Sequence, residues 1–224
     1  MTLPTVDLWH TDLDASPDGR SLLTDQEQQR ADRFRSTLDR DRFVARRAFL
    51  RSVLGRYLDR TPRSVVIEET SGGKPASRDD PRLHFNLSAS GPTAVLAVAD
   101  EEVGVDVETI RDGADVDSIP GRWFTPGERA AIDGVDDGDR VTAVFEIITR
   151  KEAVLKAAGL GFAVSPALID VINPGPVVVP SVPPTTWWVQ SLSPHPTLAA
   201  ALATREGSPK LTFHPSPDAR WMRR

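Results

Sequence analysis

The sequence predicts an α+β fold of two similar halves, each a small, mainly antiparallel sheet packed on a long helix, with a site where the halves meet. Three observations carry this. Helix-period apolar patterning is confined to two regions, about residues 24–58 and 125–158. Short β-prone runs follow each region. One of these runs, Pro92-Thr93-Ala94-Val95-Leu96-Ala97-Val98-Ala99, has an echo in Pro196-Thr197-Leu198-Ala199-Ala200-Ala201-Leu202-Ala203. The halves divide into residues 1–102 and 103–224, forming one pseudo-dimeric unit.

In order along the chain, Thr24-Asp25-Gln26-Glu27 is a capping box that opens a helical stretch over 24–35. A longer helix runs from about Asp39 to Leu58, with Phe43, Leu50, Val53, Leu54, Tyr57 and Leu58 at steps of three and four. Thr61-Pro62 stops it. Val65–Glu68, Leu83–Leu87, Thr93–Ala99 and Val103–Glu108 then read as strands of a meander. Thr125-Pro126-Gly127-Glu128 repeats the capping box, with Pro126 at the first helical position. A second long helix spans about Arg140 to Ala158 and ends at Gly159-Leu160-Gly161. The last third is proline-rich. Its strand-like runs are Leu168–Ile172, Val177–Val179, Thr186–Leu192, Thr197–Thr204 and Leu211–His214.

The chain has 224 residues, with 26% charged and 39% hydrophobic, which excludes wholesale disorder. No apolar run reaches the length of a membrane span, and the start carries no secretory pattern. With no cysteine, thiolate catalysis and cysteine-ligated metals are excluded, and a reducing cytoplasm suits the composition. The net charge of −5 argues against a nucleic-acid coat. Residues 30–60 nonetheless hold ten arginines against four aspartates, a basic patch fit for an anionic partner.

Candidate chemistry lies in two places. In Val103-Gly104-Val105-Asp106-Val107-Glu108, strand alternation sends the valines to the core and Asp106 with Glu108 to the opposite face. Two such carboxylates repel unless a cation neutralises them, and magnesium is the hard, oxygen-seeking ion for that task. A half-exposed strand with two solvated acids is the plainer alternative. On the second long helix, Glu152 falls in line with Val141, Phe145, Ile148 and Leu155, so its carboxylate needs a cation: a metal, or Lys156 at i+4. A surface Glu–Lys pair is the alternative there. Asp106, Glu108 and Glu152 together would suit magnesium, and a carboxylate beside it would suit a general base. Ser71-Gly72-Gly73-Lys74-Pro75 is a rigid turn presenting one lysine, not a P-loop. There is no G-x-S-x-G, H-E-x-x-H or G-x-G-x-x-G, and the four histidines have no ligand spacing.

In this order, Gly72-Gly73-Lys74-Pro75, Phe85-Asn86-Leu87-Ser88, Val103–Glu108 and Lys151-Glu152-Ala153-x-x-Lys156 resemble the Sfp-type 4′-phosphopantetheinyl transferases, over about residues 24–165. The resemblance implies that family's fold and transfer of phosphopantetheine from coenzyme A to a serine of an acyl, peptidyl or aryl carrier protein, releasing adenosine 3′,5′-bisphosphate. It implies magnesium held by Asp106, Glu108 and Glu152, with Glu152 as base and Lys156 stabilising the departing phosphate. Lys74, Ser88, Arg30 and Arg42 would grip the coenzyme's phosphates, and Glu128 would lie near the acceptor. The implied protein is a monomer that binds neither nucleic acid nor membrane. Charge suggests an acidic carrier docking on Arg46 and Arg47.

Two positions depart from the family pattern. Ala89 stands where the family has histidine between two serines, and Ile148 where it commonly has tryptophan. Ala89 keeps a second class of function open, a coenzyme- or carrier-binding relative without catalysis. Nucleic-acid binding through the 30–60 helices ranks last, for want of interleaved aromatics.

Overall fold

Two capping boxes set the starts of two helices. The Thr24 hydroxyl accepts the Glu27 backbone N–H at 3.3 Å, and the Glu27 carboxylate accepts the Thr24 N–H at 2.9 Å, opening α1 (Asp25–Ala31). Thr125 and Glu128 repeat the arrangement at the head of α3 (Pro126–Asp133). The computed structural model describes residues 5–15, 19–70, 72–111, 114, 116, 119, 121–181, 183–195, 197–205 and 207–215. Ser71 and Pro196, singled out above, lie outside the described residues. The long helices are α2 (Thr37–Leu58) and α4 (Asp137–Ala158), closed by Asp59 and Gly159 in the left-handed region. Each begins two or three residues before the apolar period does. Asp39 in α2, and Asp137 with Asp139 in α4, favour the helix dipole without adding to an apolar stripe.

One sheet contains β1 (Thr5–Asp12), β4 (His84–Ser90), β5 (Thr93–Ala99) and β10 (Lys210–His214) in the order β10-β1-β5-β4. The other contains β6 (Val103–Thr109), β7 (Gly175–Val179), β8 (Thr185–His195) and β9 (Leu198–Thr204) in the order β6-β9-β8-β7, antiparallel throughout. A short ribbon, β2 (Ile67–Glu69) with β3 (Pro75–Ser77), stands apart. The echoing segments become β5 and β9, both buried at every position after the first. Strand β1 has no counterpart in the sequence reading. Strand β10 runs parallel to it, so residues 210–214 join the sheet of the first half rather than of the second.

The layers stack as α2, first sheet, second sheet, α4. Phe49, Val53 and Leu54 of α2 pack on Phe85, Leu96 and Val98. The opposite face of that sheet, Val6, Leu8, Val95 and Ala97, meets Val103, Val105, Val107 and Leu202. Ala153, Val154 and Ala157 of α4 cover the far face of the second sheet against Val177, Val189, Ala201 and Ala203. No described helix is long and apolar enough to cross a membrane.

Two expected strands differ. Val65–Glu68 pairs only from Ile67, because Pro62–Ser64 makes a turn of 3₁₀ helix and the Arg51 guanidinium donates to the carbonyls of Pro62 and Val65. Leu168–Ile172 is not a strand: Pro166–Leu168 is 3₁₀. Side chains satisfy the backbone that follows. Arg150 donates to the carbonyls of Val171 and Ile172, Lys151 donates to those of Pro166 and Ile169, and Glu128 accepts the Val171 N–H.

Candidate active site

Strand β6 is the hinge of the site. Its two faces are both covered, one by the first sheet and one by α4, so Asp106 is 2% exposed rather than a solvated surface acid. Gly104 makes this possible. A Cβ there would lie 2.1 Å from the Ala153 carbonyl oxygen, so only glycine lets the α4 backbone rest on that face.

The edge of β4 runs beside β6 and joins it through side chains at alternate positions. Asn86 accepts the Val105 N–H at 2.9 Å, Ser88 donates to Asp106 Oδ1 at 2.8 Å, and Ser90 donates to Glu108 Oε2 at 2.8 Å. From α4, the Lys156 ammonium reaches the same Asp106 Oδ1 at 2.5 Å and the Ser88 hydroxyl at 3.1 Å. The second oxygen, Asp106 Oδ2, is buried and has no hydrogen-bond partner among the described residues.

Burial is the leading reason that Asp106, Glu108 and Glu152 all have pKa values above the ordinary carboxylate range. The acids also act on one another. The charges of Asp106 and Glu108 push Glu152 further up, while Lys156 pulls it back. The three are thus electrostatic neighbours, but they do not stand as a ready-made ligand cluster. Among the described residues no three acids or histidines are gathered closely enough to hold a metal ion together. Lys156 supplies the counter-charge to Asp106.

A cleft of about 1070 Å³ opens between α1, α2, the β2–β3 ribbon and β4. Arg30, Arg33, Arg46 and Arg47 line it, with Phe43 and Asn86. Arg47 and Arg51 share Glu27, whose pKa is raised by burial but lowered on balance by these two guanidiniums and the Thr24 N–H. Arg46 is different. Burial foremost, then the charges of Arg47 and Arg30, lower its pKa, and Arg30 and Arg46 both lie over the Phe43 ring. Asp106, Glu108 and Glu152 do not line this cleft. Asn86 does, and Ser88, which holds Asp106, is two residues further along the same strand, roughly 7 Å away.

Several expected site residues are elsewhere. Arg42 makes a two-pronged pair with Asp14 at 2.7 Å and does not line the cleft, because an exposed carboxylate on the loop after β1 lies within its reach. The Lys74 ammonium is turned to the carbonyls of Val103 and Ala157, away from the cleft. Glu128, expected near an acceptor, is fully buried against Lys151 at 2.7 Å. Arg46 and Arg47 line the cleft rather than an outward docking face. Sequence reasoning missed Asn86, Ser90 and the Lys151–Glu128 pair. Alternation along 86, 88 and 90 was the available signal for the first two; nothing in the sequence paired the third.

The two halves of the chain match separate family profiles. Residues 9–101 match one described as 4′-phosphopantetheinyl transferase, N-terminal, and residues 102–202 match the 4′-phosphopantetheinyl transferase superfamily. The 4′-phosphopantetheinyl transferase HetI of Nostoc sp. is 34% identical over 207 residues, covering 88% of this chain and 86% of its own length. The chain belongs to the 4′-phosphopantetheinyl transferase family. It is a transferase. Other similar 4′-phosphopantetheinyl transferases are AcpT of Escherichia coli, 37% identical over 54% of this chain and 58% of its own length, and psf-1 of Bacillus pumilus, 33% identical over 64% of this chain and 61% of its own. Ser88 lies in the first matched segment, and Asp106, Lys156 and all of α4 lie in the second, so the node joins residues of both.

Proposed function

We propose that this transferase is of the Sfp type and moves 4′-phosphopantetheine from coenzyme A to a serine of an acyl, peptidyl or aryl carrier protein. The observation that carries the reading is the node of Ser88, Asp106 and Lys156 beside two further destabilised acids, two residues along β4 from an arginine-lined cleft. The basic cleft suits the anionic coenzyme, with Arg30 and Arg46 toward its phosphates. The halves 1–102 and 103–224 would be pseudo-two-fold relatives, supported by the like burial of β5 and β9, with β10 crossing back to the first sheet.

Asp106, Glu108 and Glu152 would hold magnesium. Asp106 Oδ2, without a partner among the described residues, and the shared electrostatic strain of the three acids suit a hard cation, which would have to draw together carboxylates that do not stand as a ready-made ligand set. When bound there, magnesium would supply neutralisation of the charge on the diphosphate. Glu152, kept more basic by its surroundings, takes the proton of the carrier serine. The serine oxygen bonds to the phosphorus that bears pantetheine, and the phosphorus–oxygen bond to the nucleotide breaks. Adenosine 3′,5′-bisphosphate leaves with the electron pair, its new charge met by Lys156.

The test is the intact mass of an apo carrier protein incubated with the chain, coenzyme A and magnesium. A gain of one phosphopantetheine is expected, lost in Asp106→Ala and Glu152→Ala. Coenzyme binding with no modified carrier, restored to transfer in Ala89→His, would replace this reading with a non-catalytic one.

A further inference from the structure

Beyond the acids themselves, something must hold the strand that carries two of them in register with the helix that carries the third. Strand β6 supplies Asp106 and Glu108, α4 supplies Glu152 and Lys156, and the ribbon β2–β3 of the first half reaches across to both. We propose that Lys74 is a positioning residue of the transfer reaction, a clamp that sets the spacing between β6 and the last turn of α4. This rests on the function proposed above.

The Lys74 ammonium donates to the carbonyl of Val103, the first residue of β6, at 2.9 Å, and to that of Ala157, in the last turn of α4, at 3.2 Å. Helix ends leave carbonyls without intrahelical partners. Here Gly159 N–H returns to Lys156 and Leu160 N–H to Leu155, and Ala157 receives Lys74. Ala157 is the residue after Lys156, and Val103 lies three before Asp106, so one ammonium ties together the backbones that position a contacting pair.

The rest of that corner is built for close approach. A Cβ on Gly72 would lie 2.2 Å from the Gly159 carbonyl oxygen, and one on Gly104 would lie 2.4 Å from the Ala157 nitrogen. The turn presenting the lysine is itself tied. Thr70 N–H donates to the Lys74 carbonyl at 2.9 Å, Gly73 N–H to that of Thr70 at 2.8 Å, and Lys74 N–H to the Thr70 hydroxyl at 3.2 Å. The fold thus holds both the lysine's backbone and its ammonium. Burial, only partly offset by Glu102, lowers the Lys74 pKa to about 8, as expected of an ammonium spent on carbonyls rather than on a phosphate.

A misplacement of 1 Å between catalytic groups costs on the order of a hundredfold in rate. Lys74→Met in the full chain should therefore lower kcat for carrier modification about tenfold or more, with KM for coenzyme A changed by less than about twofold. Amide hydrogen exchange over residues 155–159 should quicken. A raised KM with kcat intact would mean that the lysine grips substrate. A lowered Tm with kcat and local exchange rates intact would mean that it only stabilises the fold. Either result overturns the proposal. Should Lys74→Met fail to fold, Gly72→Ala pushes the turn off Gly159 with the lysine present and should reproduce the kcat loss; normal kcat there overturns the clamp. If the unaltered chain transfers nothing, the proposed reaction falls, and the exchange measurement decides on the clamp alone.

Discussion

Helix α4 carries two lysines five residues apart, each paired with a buried carboxylate, and the pairs differ in completeness. Lys151 and Glu128 are both 0% exposed. Glu128 also accepts the N–H groups of Thr125 and Val171, and the ammonium also donates to the carbonyls of Pro166 and Ile169. Every strong donor and acceptor there has a use. Asp106 and Lys156 share one carboxylate oxygen with Ser88, the other oxygen is left without a partner among the described residues, and the lysine side chain is 29% exposed. The first pair is sealed and saturated and serves the fold. The second has spare coordinating capacity and an approach from solvent, and those two properties let a buried charge do chemistry.

Breaking the sealed pair should have the largest effect. Lys151→Met leaves Glu128 a buried, uncompensated charge and should cost about 3–5 kcal/mol of stability in denaturant unfolding. The double variant Glu128→Leu/Lys151→Met should recover most of it, since both desolvation costs go together. A loss below about 1 kcal/mol in the single variant would erase the contrast.

The open pair should respond the other way. Asp106→Asn should lower carrier modification about 10²–10³-fold in the mass-shift assay. Its Tm should hold or rise, because an amide replaces a charge that burial disfavours.

Solution pH sharpens the same difference. The folded-state pKa values of Asp106, Glu108 and Glu152 are raised. Their contribution to stability is therefore complete below the unfolded carboxylate range and is lost as pH rises through the folded values. Between mildly acidic and neutral pH the unaltered chain should lose more Tm than Asp106→Asn/Glu152→Gln, by a few degrees. Magnesium at pH 7 should close most of that gap. Parallel pH profiles with no response to magnesium would count against strain among the three acids.

The smallest effect is expected furthest from the node. Arg46→Ala should raise KM for coenzyme A about threefold to tenfold with kcat unchanged, measured by steady-state kinetics. An unchanged KM would separate the arginine cleft from the acids.

Both capping boxes, both long helices and the two central strands were readable because each depends on residues a few positions apart. Strand β1 was not, since it pairs with β5 in mid-chain and with β10 near the far end of the chain. Leu168–Ile172 had the composition of a strand, but its backbone partners are the side chains of Arg150, Lys151 and Glu128. Among site residues, alternation in Val103–Glu108 signalled that Asp106 and Glu108 share a side of β6. It could not signal that α4 would bury that side, because Gly104 acts through a close approach in space.

Residue order by itself determined the local elements, the zero-cysteine chemistry and the set of acids and bases from which a site could be assembled. Tertiary structure alone decided which lysine meets which carboxylate: Lys156 on Asp106, Lys151 on Glu128, Lys74 on two carbonyls rather than in the cleft. The reason is that a charge's role follows from its solvation and its partners. Both are set by packing between segments 23 to 83 residues apart, a range over which helix and strand periodicity carry no information.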